Sequence, residues 1–356
     1  MMQKINLSPV PTSCNFGINW LKIDESELCA PLNHFENFCL SSGDFQQSKT
    51  GVKLAPNTIC ELLQTQHKNA NFAKKLVFKH STQAPVTLEF DFDAHNNALA
   101  DILNIVLMPN VKVQLVLKYK GQNNSHHNGS IFVDLKKGSA LNLVVYANTN
   151  GNNFLSIYDQ KEQNASVDYT LIDFAKKYTV QNIQSVDKGA NTRTTLDTMY
   201  FGTDDATIDQ NFLVKLTKPK SEAKLNTIGA LMDTAKKHYK GTIDFQRGAK
   251  KSVGDENEFC MLLSPKAKSR ALPMLLCGEE DVSGSHASSA GKVDKQELFY
   301  ITSRGLTQAQ ALKLLVKAKF ANITNKVFDT KLKEEIFEEI DRRMNGENKQ
   351  CHSRRF

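Results

Sequence analysis

The chain has 356 residues, 40% of them hydrophobic and 23% charged. That balance is close to the average for soluble globular proteins and excludes a largely disordered chain or a disulfide scaffold. The net charge of +7 comes from 45 Lys and Arg against 38 Asp and Glu, and would draw an anionic partner only if clustered on one face. Basic groups such as Lys215, Lys218, Lys220 and Lys224, or Lys250 and Lys251, have acids nearby. They lack the interleaved aromatics of a single-strand nucleic-acid platform, so no nucleic-acid partner is expected.

Seven cysteines (Cys14, Cys29, Cys39, Cys60, Cys260, Cys277 and Cys351) occur without a CxxC pair. An odd count without an apolar leader in MMQKINLSPVPTSCNF points to reduced thiols and a cytoplasmic location. No run approaches the ~18 apolar residues of a membrane span, so no membrane partner is expected. The Asn-x-Ser/Thr matches at Asn123, Asn128, Asn164 and Asn322 are then chance occurrences.

The N-terminal part is irregular, with one short helix expected over 57–66, where Pro56 and Asn57 precede Ile59, Leu62 and Leu63. From about residue 76 the pattern changes to period two. Val86, Leu88, Phe90 and Phe92 alternate with Thr87, Glu89 and Asp91, and 111–119, 131–135 and 141–145 behave likewise. Further strands are expected near 167–171, 195–200, 208–216, 225–231, 242–245 and 259–263, broken at Gly/Asn-rich stretches such as GQNNSHHNGS and NTNGNN. Many short strands without intervening helices leave a sandwich, a barrel or a solenoid open, and Asn-rich corners fit a solenoid.

After Lys292 the period becomes helical. Asp294 with Glu297 forms an N-terminal capping pattern ahead of Leu298, Phe299 and Ile301, and Gly305 supplies the stop. A second helix starts at Thr307 with Gln310 and places Leu312, Leu315, Val316 and Phe320 on one face. A third carries Leu332, Ile336, Phe337, Ile340 and Met344, followed by a frayed tail, GENKQCHSRRF. Three regions follow: an N-terminal appendage (1–75), a β core (76–292) and a helical arm (293–356).

Little in the chain reads as catalytic. SHASSAGKVD resembles a P-loop only at Gly291 and Lys292; His286 stands where Gly is required and Val293 where a hydroxyl is required. His126 and His127 read as exposed loop residues, His80, His95 and His238 as structural or solvated, and Cys260 and Cys277 as small buried hydrophobes. Asp91 with Asp93, and Asp204 with Asp205, are the acid pairs to weigh for polysaccharide cleavage, but a solvated strand face and an Asp-rich corner explain them. His286 differs by context, lying in a Ser/Gly/Ala run between the last β segment and the first helix of the arm. Its imidazole can bind iron through a neutral nitrogen, or simply hydrogen-bond at a domain junction; on chemistry alone the second is the simpler reading.

The stretch DVSGSHASSAGKVDKQELFYITSRG resembles the signature of the SufB/SufD family through Asp281, Val282, Ser285, His286, Gly291, Asp294, Leu298, Phe299, Tyr300, Ser303, Arg304 and Gly305. The similarity extends upstream through Ala235, Gly241, Ile243, Ala249, Leu262, Leu263, Ala271 and Pro273, and downstream to Phe320. Ala287 after the histidine is nearer to the SufD type than to the SufB type, whereas Gly284 stands where many SufD-type chains have Cys. The resemblance implies a mainly β protein, a right-handed parallel β-helix that pairs with a SufB-like scaffold. It also implies a helical arm that docks a SufC-like ABC ATPase through Leu298, Phe299, Tyr300, Arg304, Gly305, Leu312 and Leu315. His286 would be a candidate iron or cluster ligand at the SufB interface. Such a subunit has no turnover of its own and holds no tightly bound cofactor, the nascent iron-sulfur cluster belonging to the complex. A homodimer of the isolated chain, a SufB-type direct scaffold and a β-solenoid polysaccharide enzyme remain as alternatives.

Overall fold

The computed structural model describes residues 1–11, 17–121, 124–174 and 176–346. Cys14, Asn123, Cys351 and the tail expected to fray over 347–356 lie outside the described residues.

Strands of mostly ten residues wind between two parallel sheets, successive strands alternating from one sheet to the other. The protein is mainly β, a parallel solenoid with helices at its C-terminal side. The first sheet runs from Val86–Phe92 to Val282–Gly291 and the second from Phe72–Phe78 to Lys268–Cys277; each begins on a short antiparallel strand, Phe38–Leu40 or Gln46–Ser48. Register is kept from coil to coil. Leu115, Leu143, Tyr169, Leu196 and Leu225 form one inward row, facing Leu103, Ile131, Ile157, Ile183 and Phe212 from the other sheet. Corners are turned by residues that tolerate positive φ, including Asn110, Asn164, Asn191, Asp204 and Asp233, whose short polar side chains offset the left-handed penalty.

Both outer faces are also covered. Helices α3 (Gln308–Thr324) and α4 (Thr330–Met344) lay Val316, Phe320, Ile323, Leu332, Ile336 and Ile340 on Val144, Ile172, Met199, Phe201 and Ile228 of the first sheet. The N-terminal segment, including α1 (Glu61–Gln66), packs Ile5, Leu21, Ile23, Ile59 and Leu63 against Phe154 and Val180 of the second. Strands buried on both faces lose their alternation. This is why Ala98–Leu107, Asn152–Lys161 and Tyr178–Asp187 escape a period-two reading.

Two expectations are corrected here. The Gly/Asn-rich stretches do not simply interrupt strands: His126–Leu135 runs through HHNGS, and Asn152–Lys161 begins inside NTNGNN. His126 and His127 are accordingly buried. His127 bonds through one ring nitrogen to Asp101 and through the other to Asn153, both at 2.7 Å; burial lowers the His126 pKa to about 4. Polar residues fill strands here because the coil above or the segment outside supplies each partner, as where Asn128 Nδ2 donates to the Leu63 carbonyl at 3.0 Å.

Candidate functional site

The solenoid ends openly after strand Val282–Gly291, which pairs on one side only, with Ser252–Leu262. The small-residue run around His286 is therefore the last strand, not a linker between the β core and the helices. In the strand beneath, Ser252, Gly254, Glu256, Glu258 and Cys260 point inward and are buried. Parallel register places His286 beside Glu256 and Ser288 beside Glu258, on the side that a further coil would bury. No further coil follows, so His286 is exposed.

The layer under it is polar. Ser288 Oγ donates to Glu258 Oε2 at 2.7 Å, and Glu258 also pairs with Lys237, both partners being fully buried. Burial pushes the Glu256 carboxyl up to about 8, and neither of its oxygens makes a well-aligned hydrogen bond. On the outer side, Ser285 Oγ donates to Asp255 Oδ1 at 2.6 Å. Sequence reasoning missed Glu256, Glu258 and Lys237. The available signal was the inverted alternation in DENEF, where the acids Glu256 and Glu258 occupy positions in phase with the buried Cys260.

Helix α2 (Lys295–Thr302) follows after a short link. Asp294 caps it, accepting from the backbone N–H of Gln296 and Glu297, and Gly305 ends the turn at φ +96°. The helix buries no residue completely. Phe299 is 74% exposed and Tyr300 57%, with the Arg304 guanidinium 4.8 Å from the Tyr300 ring centroid. Leu298 is half-buried, as are Leu312 and Leu315 on α3, whereas Val316 and Phe320 are fully buried against the sheet and Leu314 is exposed. The expected docking residues thus divide into Phe299, Tyr300, Arg304 and Gly305, which are exposed, and Leu298, Leu312 and Leu315, which are half-buried.

The other candidates disperse. Asp91 is exposed on its strand and Asp93 lies in the following turn, its pKa lowered to about 2 by the backbone N–H groups of Asn96 and His95. Asp204 and Asp205 sit in a turn. Cys260 is buried as expected, but Cys277 is exposed because its strand forms the open edge of the second sheet. Among the described residues, no three His, Cys, Asp or Glu side chains group as a metal-binding set. His286 offers one imidazole, and further ligands for a metal there would have to come from another chain.

Residues 90–319 match the family described as SUF system FeS cluster assembly, SufBD core domain. The chain belongs to this family. The SufBD match runs from the first long strands through the open end and into α3, taking in every site residue discussed above. Over 124 residues the chain is 31% identical to the iron-sulfur cluster assembly protein SufD of Bacillus subtilis, covering 35% of this chain and 28% of that protein. It is 28% identical over 114 residues to the protein of the same name from Escherichia coli K12, covering 32% and 27%. Over 69 residues, 19% of this chain and 16% of the relative, it is 39% identical to an iron-sulfur cluster assembly SufBD family protein of Pyrococcus horikoshii. The aligned stretch thus spans little more than a quarter of the two SufD relatives. Among the described residues no helix is long and apolar enough to cross a membrane.

Proposed function

We propose that this chain is a SufD-type subunit of an iron-sulfur cluster assembly complex, without turnover of its own. It pairs with a SufB-like scaffold across the open end of the solenoid and binds a SufC-like ABC ATPase through α2 and the α2–α3 junction. The carrying observation is the placement of His286, exposed on an edge strand that pairs on one side only, a few residues ahead of a helix that presents Phe299 and Tyr300 to solvent. An edge strand offers unpaired backbone groups to another chain, and large exposed aromatics mark a contact surface.

In this reading the cluster is cargo. His286 contributes one neutral imidazole nitrogen, and the SufB-like partner supplies the remaining ligands. ATP hydrolysis belongs to the ATPase, and its motion reaches the open end through α2 and α3, which requires docking contacts that differ between two states.

Coexpression with the cognate SufB and SufC chains tests this. All three are expected to co-migrate on size exclusion, and migration of this chain alone or as a homodimer, with both partners competent, rejects the reading. His286→Ala is expected to leave assembly intact while cluster formation in cells falls. Unchanged cluster formation removes the ligand role and leaves the subunit role standing. Anaerobic loading of the isolated chain with iron and sulfide is expected to give little visible absorption; a strong chromophore would instead mark a direct scaffold.

A further inference from the structure

A second concave site lies on the outer face of the second sheet, away from the open-end strand that carries His286. Two rungs of parallel register build its floor. Tyr178, Thr207, Lys236 and Lys268 stand side by side on four adjacent strands, and His238 stands beside Arg270 one rung further along. The opposite wall comes from the N-terminal segment, through Gly17, Trp20, Leu21 and Lys22. Together they enclose about 480 Å³, a volume within the range of small-molecule sites.

The charge of this cleft is one-sided. Its lining contains Lys22, Lys236, Lys268, Arg270 and His238 but no carboxylate. Neighbouring strands lie ~4.8 Å apart, so Lys236 beside Lys268 and His238 beside Arg270 are like-charge or potentially like-charge neighbours, an arrangement that costs stability unless compensated. Among the described residues, Lys22, Lys236 and Lys268 form no ion pair. The buried acid in register beside His238, Asp209, is held by Lys240 at 2.6 Å and also accepts from Asn6; its other oxygen is 3.5 Å from His238. Glu27, Asp24 and Asp205 lie within electrostatic range of the Tyr178 hydroxyl, and Glu27 is engaged by Lys177 at 2.7 Å. The free positive potential therefore concentrates on the Lys22, Lys236 and Lys268 side, where a concave wall focuses the field.

We infer that this cleft binds a small phosphate-bearing anion, its phosphate oxygens received by Lys22, Lys236 and Lys268 and any attached ring lying against Trp20 or Tyr178. A small ligand fits better than an acidic protein surface. The cations sit on the floor and on the facing wall of a hollow, whereas a docking protein would need them on a convex or flat face. Trp20 has one cation stacked already, Lys4 Nζ lying 4.2 Å from the ring centroid, which fixes that wall in place.

Calorimetric titration of the full chain with inorganic pyrophosphate, and separately with metal-free ADP, tests the inference. Saturable one-site binding is expected, weakening with added salt. It should fall about tenfold or more in Lys236→Ala/Lys268→Ala, where two charge-assisted contacts are lost, and survive in Lys236→Arg/Lys268→Arg. Lys22→Ala, on the opposite wall and outside the solenoid, gives a second loss that a folding defect of the sheet would not explain. Absence of saturable binding by both probes at millimolar concentration overturns the inference. So does binding that neither alanine variant alters, or binding of a poly-glutamate peptide where both phosphates fail.

Discussion

Arg343 Nε donates to Glu339 Oε1 at 2.6 Å, one turn earlier on α4, with the arginine completely buried. The same guanidinium reaches the carbonyls of Phe174 and Phe201 at 2.8 and 2.9 Å, at the ends of two strands of the first sheet. It closes the hydrophobic contact between α4 and the solenoid by satisfying strand-end carbonyls that the helix would otherwise bury unpaired. Arg343→Ala is expected to cost about 1–3 kcal/mol, because the carbonyls of Phe174 and Phe201 lose their buried donor while Glu339 keeps its bidentate contact with Arg342. Arg343→Lys should recover little, since an ammonium cannot reproduce the planar fork. Denaturant unfolding of both variants measures this.

The Glu256 carboxyl, at about 8 in the folded protein against an ordinary value of 4.5, makes stability depend on pH. Between those values the folded state binds the proton that the unfolded chain releases, so stability falls as pH rises from about 4.5 through 8. Glu256→Gln keeps the shape of the neutral acid and cannot ionise. It is expected to raise the unfolding free energy at pH 9, by an amount on the order of a few kcal/mol, and to change it little at pH 5. An equal effect at both pH values would contradict the assignment.

Asp209, Lys240 and Asn6 tie the N-terminal segment to the solenoid. Asn6 Nδ2 donates to Asp209 Oδ1 at 2.5 Å, and Lys240 Nζ donates to the Asn6 carbonyl at 2.8 Å. Lys240→Met strands the Asp209 carboxylate in a buried site and should cost about 3–5 kcal/mol. Limited proteolysis is expected to cut within the first thirty or so residues faster than in the parent, with the parallel sheets still protected.

Gly229 is set by packing. A Cβ there would lie 1.8 Å from a ring carbon of Tyr200, itself fully buried. Gly229→Ala should destabilise by about 1–3 kcal/mol through overpacking. In a Tyr200→Leu background the added cost should shrink, and a thermodynamic cycle of the four proteins measures that coupling.

Phe299 and Tyr300 give the opposite expectation. Both are exposed on a helix that buries nothing completely, so Phe299→Ala/Tyr300→Ala should alter unfolding free energy by no more than about 0.5 kcal/mol per site. A larger loss would show that α2 holds the arm to the core instead of presenting a docking surface.

Much of the helical arm was legible residue by residue. The Asp294 cap, the Thr307–Gln310 capping box and the Gly305 stop are local hydrogen-bonding devices that need only neighbours in sequence. The signature around His286 was equally visible as a string. Its exposure and strand assignment were not, because SGSHASSAG has no apolar alternation and becomes a strand only through register with Ser252–Leu262. His127 shows the same limit: its partners Asp101 and Asn153 lie 26 residues away, one coil before and one coil after.

Sequence alone determined the β-to-helix order, the helix caps and the resemblance carried by residues 281–305, since each is written in local spacing. Only the tertiary structure decided which charged residues are buried in pairs, which strand is left open, and which lysines share a cleft. Those depend on what stacks one coil away, and a parallel solenoid puts residues about thirty positions apart within a strand spacing of each other.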